Sequence, residues 1–424
     1  MEIARDKYLE DLKLRMGNGM VKVVTGIRRC GKTYLMFNLF RRHLKEVGVD
    51  DAHVIELALD ARENAQYRDP DELYRYLSSR IADEGTYYVL LDEVQYAISD
   101  DELRGKGSGP LAVYDVLNGL LHHRNVDVYV TGSNSRMLSK DIATEFRGRA
   151  TQIHVYPLSF EEYYSFAGGD KRSALDQYML YGGMPRPAGM AEEQAKKEYL
   201  SNLYDELYIK DIVERNHLER EDIMNAILDY TASQIGSLTN PTNMANALSS
   251  MRHERVNPNL VSDYLTHVMD AFLISMARRY DIKGKTYFNY PNKYYYTDIG
   301  LRNARLNYRQ YDPGHMMENI VYNELVLRGY SVDVGMVLER KNNEKNQREI
   351  DFVVNDGDKR IYIQSAYQID TEQKESAELQ SMKLTGDFFR KIVIRLDIPH
   401  NYYDDNGFFH CNLMDFLLGN IELF

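Results

Sequence analysis

The sequence predicts an α/β fold built on a parallel sheet that binds a nucleotide, and three observations predict it. Val21-Lys-Val-Val24 is a short apolar run followed closely by Gly26-Ile-Arg-Arg-Cys-Gly-Lys-Thr33, which satisfies the phosphate-loop pattern G-x-x-x-x-G-K-[ST]. Tyr34 to Leu44 then continues with apolar residues at helical spacing. A second apolar run, Tyr87-Tyr-Val-Leu-Leu91, ends in Asp92-Glu93. That ending places two carboxylates at the C-terminal edge of the sheet, where open α/β sheets bind their ligands.

Each residue of the loop has a separate physical task. Gly26 and Gly31 let the backbone N–H groups of Ile27, Arg28, Arg29, Cys30, Lys32, Thr33 and Tyr34 turn toward a phosphate, and the helix N-terminus adds partial positive charge. Lys32 is expected to bridge phosphate oxygens, and the Thr33 hydroxyl to ligate Mg²⁺. Asp92 takes the role of holding Mg²⁺ through water, and Glu93 that of the base that polarises the attacking water. A third apolar strand, Val126-Asp-Val-Tyr-Val-Thr-Gly-Ser-Asn134, brings Ser133 and Asn134 beside the γ-phosphate if it lies between the first two strands; otherwise they are plain turn residues. Arg147 and Arg149 are candidates to neutralise charge on the transferring phosphate, in their own subunit or across an oligomer interface.

Composition bounds the rest. A chain of 424 residues with 44% hydrophobic content predicts two to four domains with ample cores. Two cysteines, Cys30 and Cys411, give neither a disulfide framework nor a metal spacing. The N-terminus lacks an export signal and no apolar run approaches the ~20 residues of a membrane helix, so the expected location is cytoplasmic, with no membrane partner. A net charge of −12 does not favour DNA as a partner, though a local basic patch can survive within it. The 34 tyrosines are spread along the whole chain and are assigned no function.

The order of phosphate loop, Leu90-Leu-Asp-Glu-Val-Gln95, Thr131-Gly-Ser-Asn134, Arg147-Gly-Arg149, Pro157-Leu-Ser-Phe-Glu161 and Tyr181-Gly-Gly-Met-Pro185 resembles a widespread prokaryotic family of predicted AAA+ ATPases, along the entire chain. The resemblance implies a P-loop AAA+ ATPase core over 1–165 and a helical lid and connector over 166–218. It further implies a winged helix-turn-helix over 219–291 and a C-terminal α/β domain over 292–424 related to the restriction-endonuclease-like, or PD-(D/E)XK, fold. ATP rather than GTP is likewise what the resemblance implies, because the loop reads phosphates and not the base.

The residues of the later segments are consistent with that division. Glu192 to Arg215 is a long amphipathic stretch, and helices over Ile223–Ile235, Asn243–Met251 and Asn259–Ala271 precede a hairpin of Leu273–Tyr280 and Thr286–Tyr290. The helix from Asn259 carries no lysine or arginine, so packing against protein competes with reading DNA. Farther on, a helix from Met316 to Arg328 carries Glu318 and Glu324, and a hairpin of Glu349–Val354 and Arg360–Ala366 sets Asp351 opposite Gln364. Those four are the candidate nuclease-like metal site. The second strand, however, reads Gln364-Ser365-Ala366 where the nuclease pattern has acid-x-lysine, so the site is degenerate unless Lys359 or Lys374 replaces the lysine.

The sequence leaves two functions in competition. One is an ATP-driven switch acting on an unknown protein partner, with a homo-oligomer among its expected states. The other is an ATP-regulated enzyme that binds or cleaves DNA through its C-terminal domain.

Overall fold

A computed structural model describes residues 2–99, 102, 111–133, 146, 148–341 and 344–424. The chain divides into two compact units, one of residues 3–157 with 270–272 and one of residues 1–2, 158–269 and 273–424.

The first unit holds a five-stranded sheet in the order β2-β3-β4-β1-β5. Its strands are β1 (Val21–Thr25), β2 (Val54–Ala58), β3 (Tyr87–Asp92), β4 (Val126–Gly132) and β5 (Ala150–His154), and every pairing is parallel. Parallel strands need helices on both faces, so the central strands are apolar runs without alternation. All seven residues of β4 and all five of β1 are buried. Val23, Leu57, Val89, Leu91 and Val128 pack with Leu73, Leu77, Val113 and Leu117 from the covering helices. The helix Pro70–Arg80 starts where Asp69 accepts from the Asp71 and Glu72 N–H groups and proline occupies the first turn. Because β4 lies between β3 and β1, the ends of all three strands meet at one edge of the sheet, as the third strand was expected to do.

The second unit contains an eight-stranded sheet in the order β12-β13-β11-β10-β9-β8-β6-β7. The strands are β6 (Ile274–Asp281), β7 (Thr286–Tyr296), β8 (Ser331–Lys341), β9 (Glu344–Asp356), β10 (Lys359–Ala366), β11 (Arg390–Arg395), β12 (Tyr402–Tyr403) and β13 (Phe409–Asn412). Helical segments Glu193–Asn202, Leu203–Ile209 and Lys210–Asn216 follow one another, the middle one wound as a π-helix. Helices Glu221–Ser233, Pro241–Arg252 and Pro258–Asp270 then precede the β6–β7 hairpin. That hairpin is not free-standing: Arg279–Asp281 pairs in parallel with Val334–Met336, so it extends the C-terminal sheet. β7 runs through position 291, and the first compact unit ends its main stretch at Pro157. Among the described residues no helix is long and apolar enough to cross a membrane.

Two of the sequence motifs turn out to build a clasp within this unit. Asp298, 2% exposed, accepts from the Gly183 N–H (2.7 Å) and the Leu301 N–H (3.0 Å), and also from Gly300 and Met184. A Cβ on Gly182, whose φ is +72°, would sit 2.2 Å from the Asp298 carboxylate, and one on Gly300 would sit 2.0 Å from the Tyr181 carbonyl. Leu158 donates its N–H to the Gly183 carbonyl (2.7 Å), and Asn303 Nδ2 donates to the Met179 and Leu180 carbonyls (both 3.0 Å). Pro157-Leu-Ser-Phe-Glu161 and Tyr181-Gly-Gly-Met-Pro185 are therefore packing motifs, fitted so closely that only glycine has room.

Burial pushes the Asp298 carboxyl up to about 6, even though four backbone N–H groups favour its charged form. An unfolded aspartate titrates near ~3.9, so between that value and 6 the folded chain holds a proton the unfolded chain lacks, and rising pH favours unfolding. Relative to Asp298→Asn, the wild type should lose about 2 kcal/mol of unfolding free energy from pH 4 to pH 6.5, and level off above about pH 7. Urea unfolding across that range would show it; parallel curves for the two proteins would refute it.

Candidate functional site

The phosphate loop is held open by contacts behind it. Gly26 adopts φ +146°, and a Cβ there would lie 2.1 Å from the Val155 carbonyl oxygen, so the backbone of the loop touches the chain leaving β5. Cys30 Sγ donates to the same carbonyl at 3.3 Å. Arg5, 5% exposed, reaches over from the N-terminal segment and donates to the Cys30 carbonyl (3.3 Å) and the Tyr156 carbonyl (2.6 Å). Gly31, at φ +103°, turns the chain into the helix that starts at Lys32.

Lys32 is buried at 3% exposure and donates to the Gly26 carbonyl (3.0 Å) and the Ile27 carbonyl (3.2 Å). It pairs with no carboxylate among the described residues. A buried ammonium supported only by two backbone dipoles is a site with capacity for an anion. Beside the loop, His154 hydrogen-bonds Thr25 Oγ1 through Nδ1 at 2.9 Å. Burial, with a smaller contribution from the Lys32 charge, lowers its pKa to about 4, so it is neutral at pH 7.

Asp92 sits at the end of β3 with 3% exposure and accepts from Thr33 Oγ1 (2.8 Å) and from Thr131 Oγ1. Burial raises its pKa above the ordinary carboxylate range. Glu93 follows in the left-handed conformation (φ +53°), which is uncommon for a residue with a Cβ. Its N–H donates to Thr131 Oγ1 at 2.9 Å, and its carboxylate accepts from Gln95 Nε2 and from Ser133 Oγ (3.3 Å). The sheet edge thus gathers Lys32, Thr33, Asp92, Glu93 and Ser133. Sequence reasoning missed Arg5, Gln95 and Thr131; the signal for Thr131 was its place in the polar tail of the third strand.

Asn134 and Arg147 lie outside the described residues. Arg149 is exposed and is not brought to the loop of its own chain. Its carbonyl accepts from the Val21 N–H (2.9 Å), which fixes it at the N-terminal end of β1, while the loop leaves the C-terminal end. Four residue steps of strand, about 13 Å, separate those ends.

In the second unit Glu318, Asp351 and Gln364 come together, and Glu324 does not. Glu324 pairs instead with Arg328 at 2.7 Å. At the centre of the cluster is a residue that sequence reasoning passed over: Lys293 of β7, whose ammonium lies 2.7 Å from Glu318, 2.6 Å from Glu349 and 3.6 Å from Asp351. Gln364 Oε1 accepts from the Asp351 N–H (3.4 Å), and its Nε2 donates to Glu378 (3.2 Å). Lys374 lies 3.9 Å from Asp370, and Lys359 lies over the Phe424 ring, so neither takes the position of the absent lysine.

Gly26→Ala tests the loop geometry directly. The added methyl collides with the Val155 backbone, so the loop must shift, at about 1–3 kcal/mol in stability and at least about tenfold in nucleotide affinity. Thermal unfolding and titration with a fluorescent ATP analogue would register both; unchanged affinity would show that the close approach is not needed.

Residues 18–164 match the family model of an AAA domain, while residues 172–312 and 313–410 match two domains of unknown function, DUF8612 and DUF4143. An uncharacterised protein of Haemophilus influenzae is 31% identical over 398 residues, which cover 92% of this chain and 93% of that protein. An uncharacterised protein of Methanocaldococcus jannaschii is 26% identical over 397 residues, covering 88% of this chain and 81% of that protein. Among solved structures, a Walker-type ATPase of Pyrococcus abyssi is 16% identical, covers 72% of this chain and 96% of its own, and has a TM-score of 0.49. The ORC1 protein of Aeropyrum pernix, solved in complex with DNA, is 12% identical, covers 72% and 93%, and has a TM-score of 0.34. At 31% identity over 92% of its length, this chain belongs to the family of the Haemophilus influenzae protein, and it is itself a P-loop ATPase whose AAA domain is followed by two segments that match domains of unknown function.

Proposed function

We propose that the protein is a cytoplasmic ATP-hydrolysing switch that acts on a protein partner. The observation that carries this reading is Asp92, a buried carboxylate that receives a hydroxyl from the phosphate-loop helix and another from β4, with Glu93 beside it. The donor set suits a nucleotide with Mg²⁺. Among the described residues Lys32 has only carbonyl partners to give up for phosphate oxygens, and Asp92 carries a charge that burial disfavours until a cation approaches. Thr33 and Asp92 would hold Mg²⁺, which when bound neutralises charge on the β- and γ-phosphates.

The protein's own residues divide the remaining work. The loop N–H groups and Lys32 bind and orient the phosphates. Glu93 polarises the attacking water once its carboxylate leaves Gln95 and Ser133, the latter taking the sensing place together with Asn134. Arg149, a strand's length from its own loop, serves a neighbouring copy in a homo-oligomer, with Arg147 as its companion.

For the later segments we take a winged helix-turn-helix and a degenerate restriction-endonuclease-like domain, used for docking rather than cleavage. Three helices followed by a hairpin support the first. Two of the arginines near them are drawn into ion pairs, Arg220 with Asp222 and Glu254 (both 2.9 Å) and Arg252 with Asp222, which lessens the charge they offer a DNA backbone. For the second, position 366 is a buried alanine where a nuclease of this pattern needs lysine.

Lys32→Ala should remove tight ATP binding, whereas Glu93→Gln should bind ATP and turn it over about 100-fold more slowly. Equal turnover by Glu93→Gln and wild type would sink the base assignment. Mixing Lys32→Ala with Arg149→Ala protein should restore part of the ATPase rate through mixed interfaces; subunit exchange without recovery would remove Arg149 from the mechanism. Turnover unaffected by single- or double-stranded DNA is expected, and stimulation by either would turn the reading toward a nucleic-acid machine.

A further inference from the structure

The cluster around Lys293 is assembled by the periods of its elements. Lys293 and Tyr295 are two residues apart on β7, and Glu349 and Asp351 are two apart on β9, so each pair faces one side of the sheet. The helix Pro313–Leu327 crosses that side and supplies Glu318. Lys293, Glu318 and Asp351 have side chains only 3%, 9% and 9% exposed. Tyr295 also donates to Glu318 Oε1 at 2.6 Å.

The restriction-endonuclease-like reading proposed above implies a divalent cation among Glu318, Asp351 and Gln364, and the donor set does not fit one. Glu318 Oε1 is shared by Lys293 and Tyr295, and Asp351 Oδ2 accepts the Ser365 N–H at 2.9 Å. The amide of Gln364 is spent on Asp351 and Glu378. Among the described residues no group of three His, Cys, Asp or Glu side chains is disposed to hold a metal ion. Ammonium contacts of 2.6 and 2.7 Å take the room in which Mg²⁺ needs near-octahedral oxygens at ~2.0–2.1 Å.

We propose that the Lys293 ammonium permanently takes the place of the divalent cation, making this a metal-free core whose own lysine ties β7 to β9 and to the helix carrying Glu318. The lysine missing from position 366 has not simply been lost: a cation now arrives from another strand, and it fills the site rather than assisting a metal in it. Lys293 lies in the segment matching one domain of unknown function, and its three carboxylate partners lie in the segment matching the other. One ammonium therefore fastens the two segments together, and a docking module that must pass a rearrangement onward gains a rigid body from it.

The test is Mn²⁺ binding to the full-length, nucleotide-free protein, read by the loss of the free Mn²⁺ electron paramagnetic resonance signal. Wild type should show no site that depends on Asp351, judged against Asp351→Asn. Lys293→Met should gain one site at least tenfold tighter than any in wild type, lost again on adding Asp351→Asn, and Mn²⁺ should raise the unfolding temperature of the single variant. A wild-type site abolished by Asp351→Asn would overturn the proposal. If plasmid DNA were also nicked, the non-cleaving reading would fall with it, whereas without nicking only this inference would fail. A folded Lys293→Met protein that gains no Mn²⁺ would overturn it too. Should Lys293→Met alone be insoluble, Lys293→Met/Asp351→Asn, which removes one charge of each sign, should recover soluble protein; equal insolubility would mean that the lysine is kept for packing, against the proposal.

Discussion

The nucleotide site depends on one buried carboxylate. Asp92 ends β3, and the hydroxyls it receives come from the helix after β1 and from β4, so a single group fixes how three strand ends stand relative to one another. Burial makes the charge on that group costly, and hydroxyls repay only part of the lost hydration. The arrangement is therefore receptive to a cation. Thr131 extends the constraint, because the oxygen that serves Asp92 also accepts the Glu93 N–H and holds Glu93 in a conformation that residues with a Cβ seldom adopt.

The second unit is organised by the same physics applied to other ions. Arg302 is fully buried and donates to the carbonyls of Ala232 and Gln310, both at 2.8 Å, while its Nη2 has no partner among the described residues; Asp298 is held by backbone N–H groups, and Lys293 by carboxylates. Removing one partner of a buried charge costs about 3–5 kcal/mol, against about 0–1 kcal/mol for an exposed pair. By that measure the clasp at Asp298 and the hub at Lys293 specify the fold. The half-exposed Arg220–Asp222–Arg252–Glu254 network chiefly neutralises a surface.

What was legible in the sequence was local. The phosphate loop, the apolar strands on either side of the acidic pair, the helices of the middle segment and the hairpin that sets Asp351 against Gln364 all carry their signal within a dozen residues, and each stands where the pattern put it. What was hidden was long-range. Arg5 braces a loop 25 residues away, and nothing in Ile3-Ala-Arg-Asp6 advertises it. Lys293 stands in a run of tyrosines that reads only as extended chain, while its partners lie 25 and more residues downstream. The β6–β8 pairing was equally silent, because a wing hairpin and a sheet-extending hairpin have the same alternation and the same turn.

The resting contacts of the site explain how nucleotide could drive a switch at all. A ligand shifts a conformational equilibrium only by the difference in its interactions with the two states. Lys32 lies on the carbonyls of Gly26 and Ile27, and Glu93 on Gln95 and Ser133, so both principal side chains have protein partners. Each must exchange those partners for phosphate or water, and the exchange is felt in specific places: Lys32 releases the mouth of the loop, and Glu93 releases the segment after β3 and the end of β4. Those two releases reach different strand ends, and Asp92 is the group they share. In the proposed switch, nucleotide would therefore act on the sheet edge as a unit, through the carboxylate that the helix after β1 and β4 share.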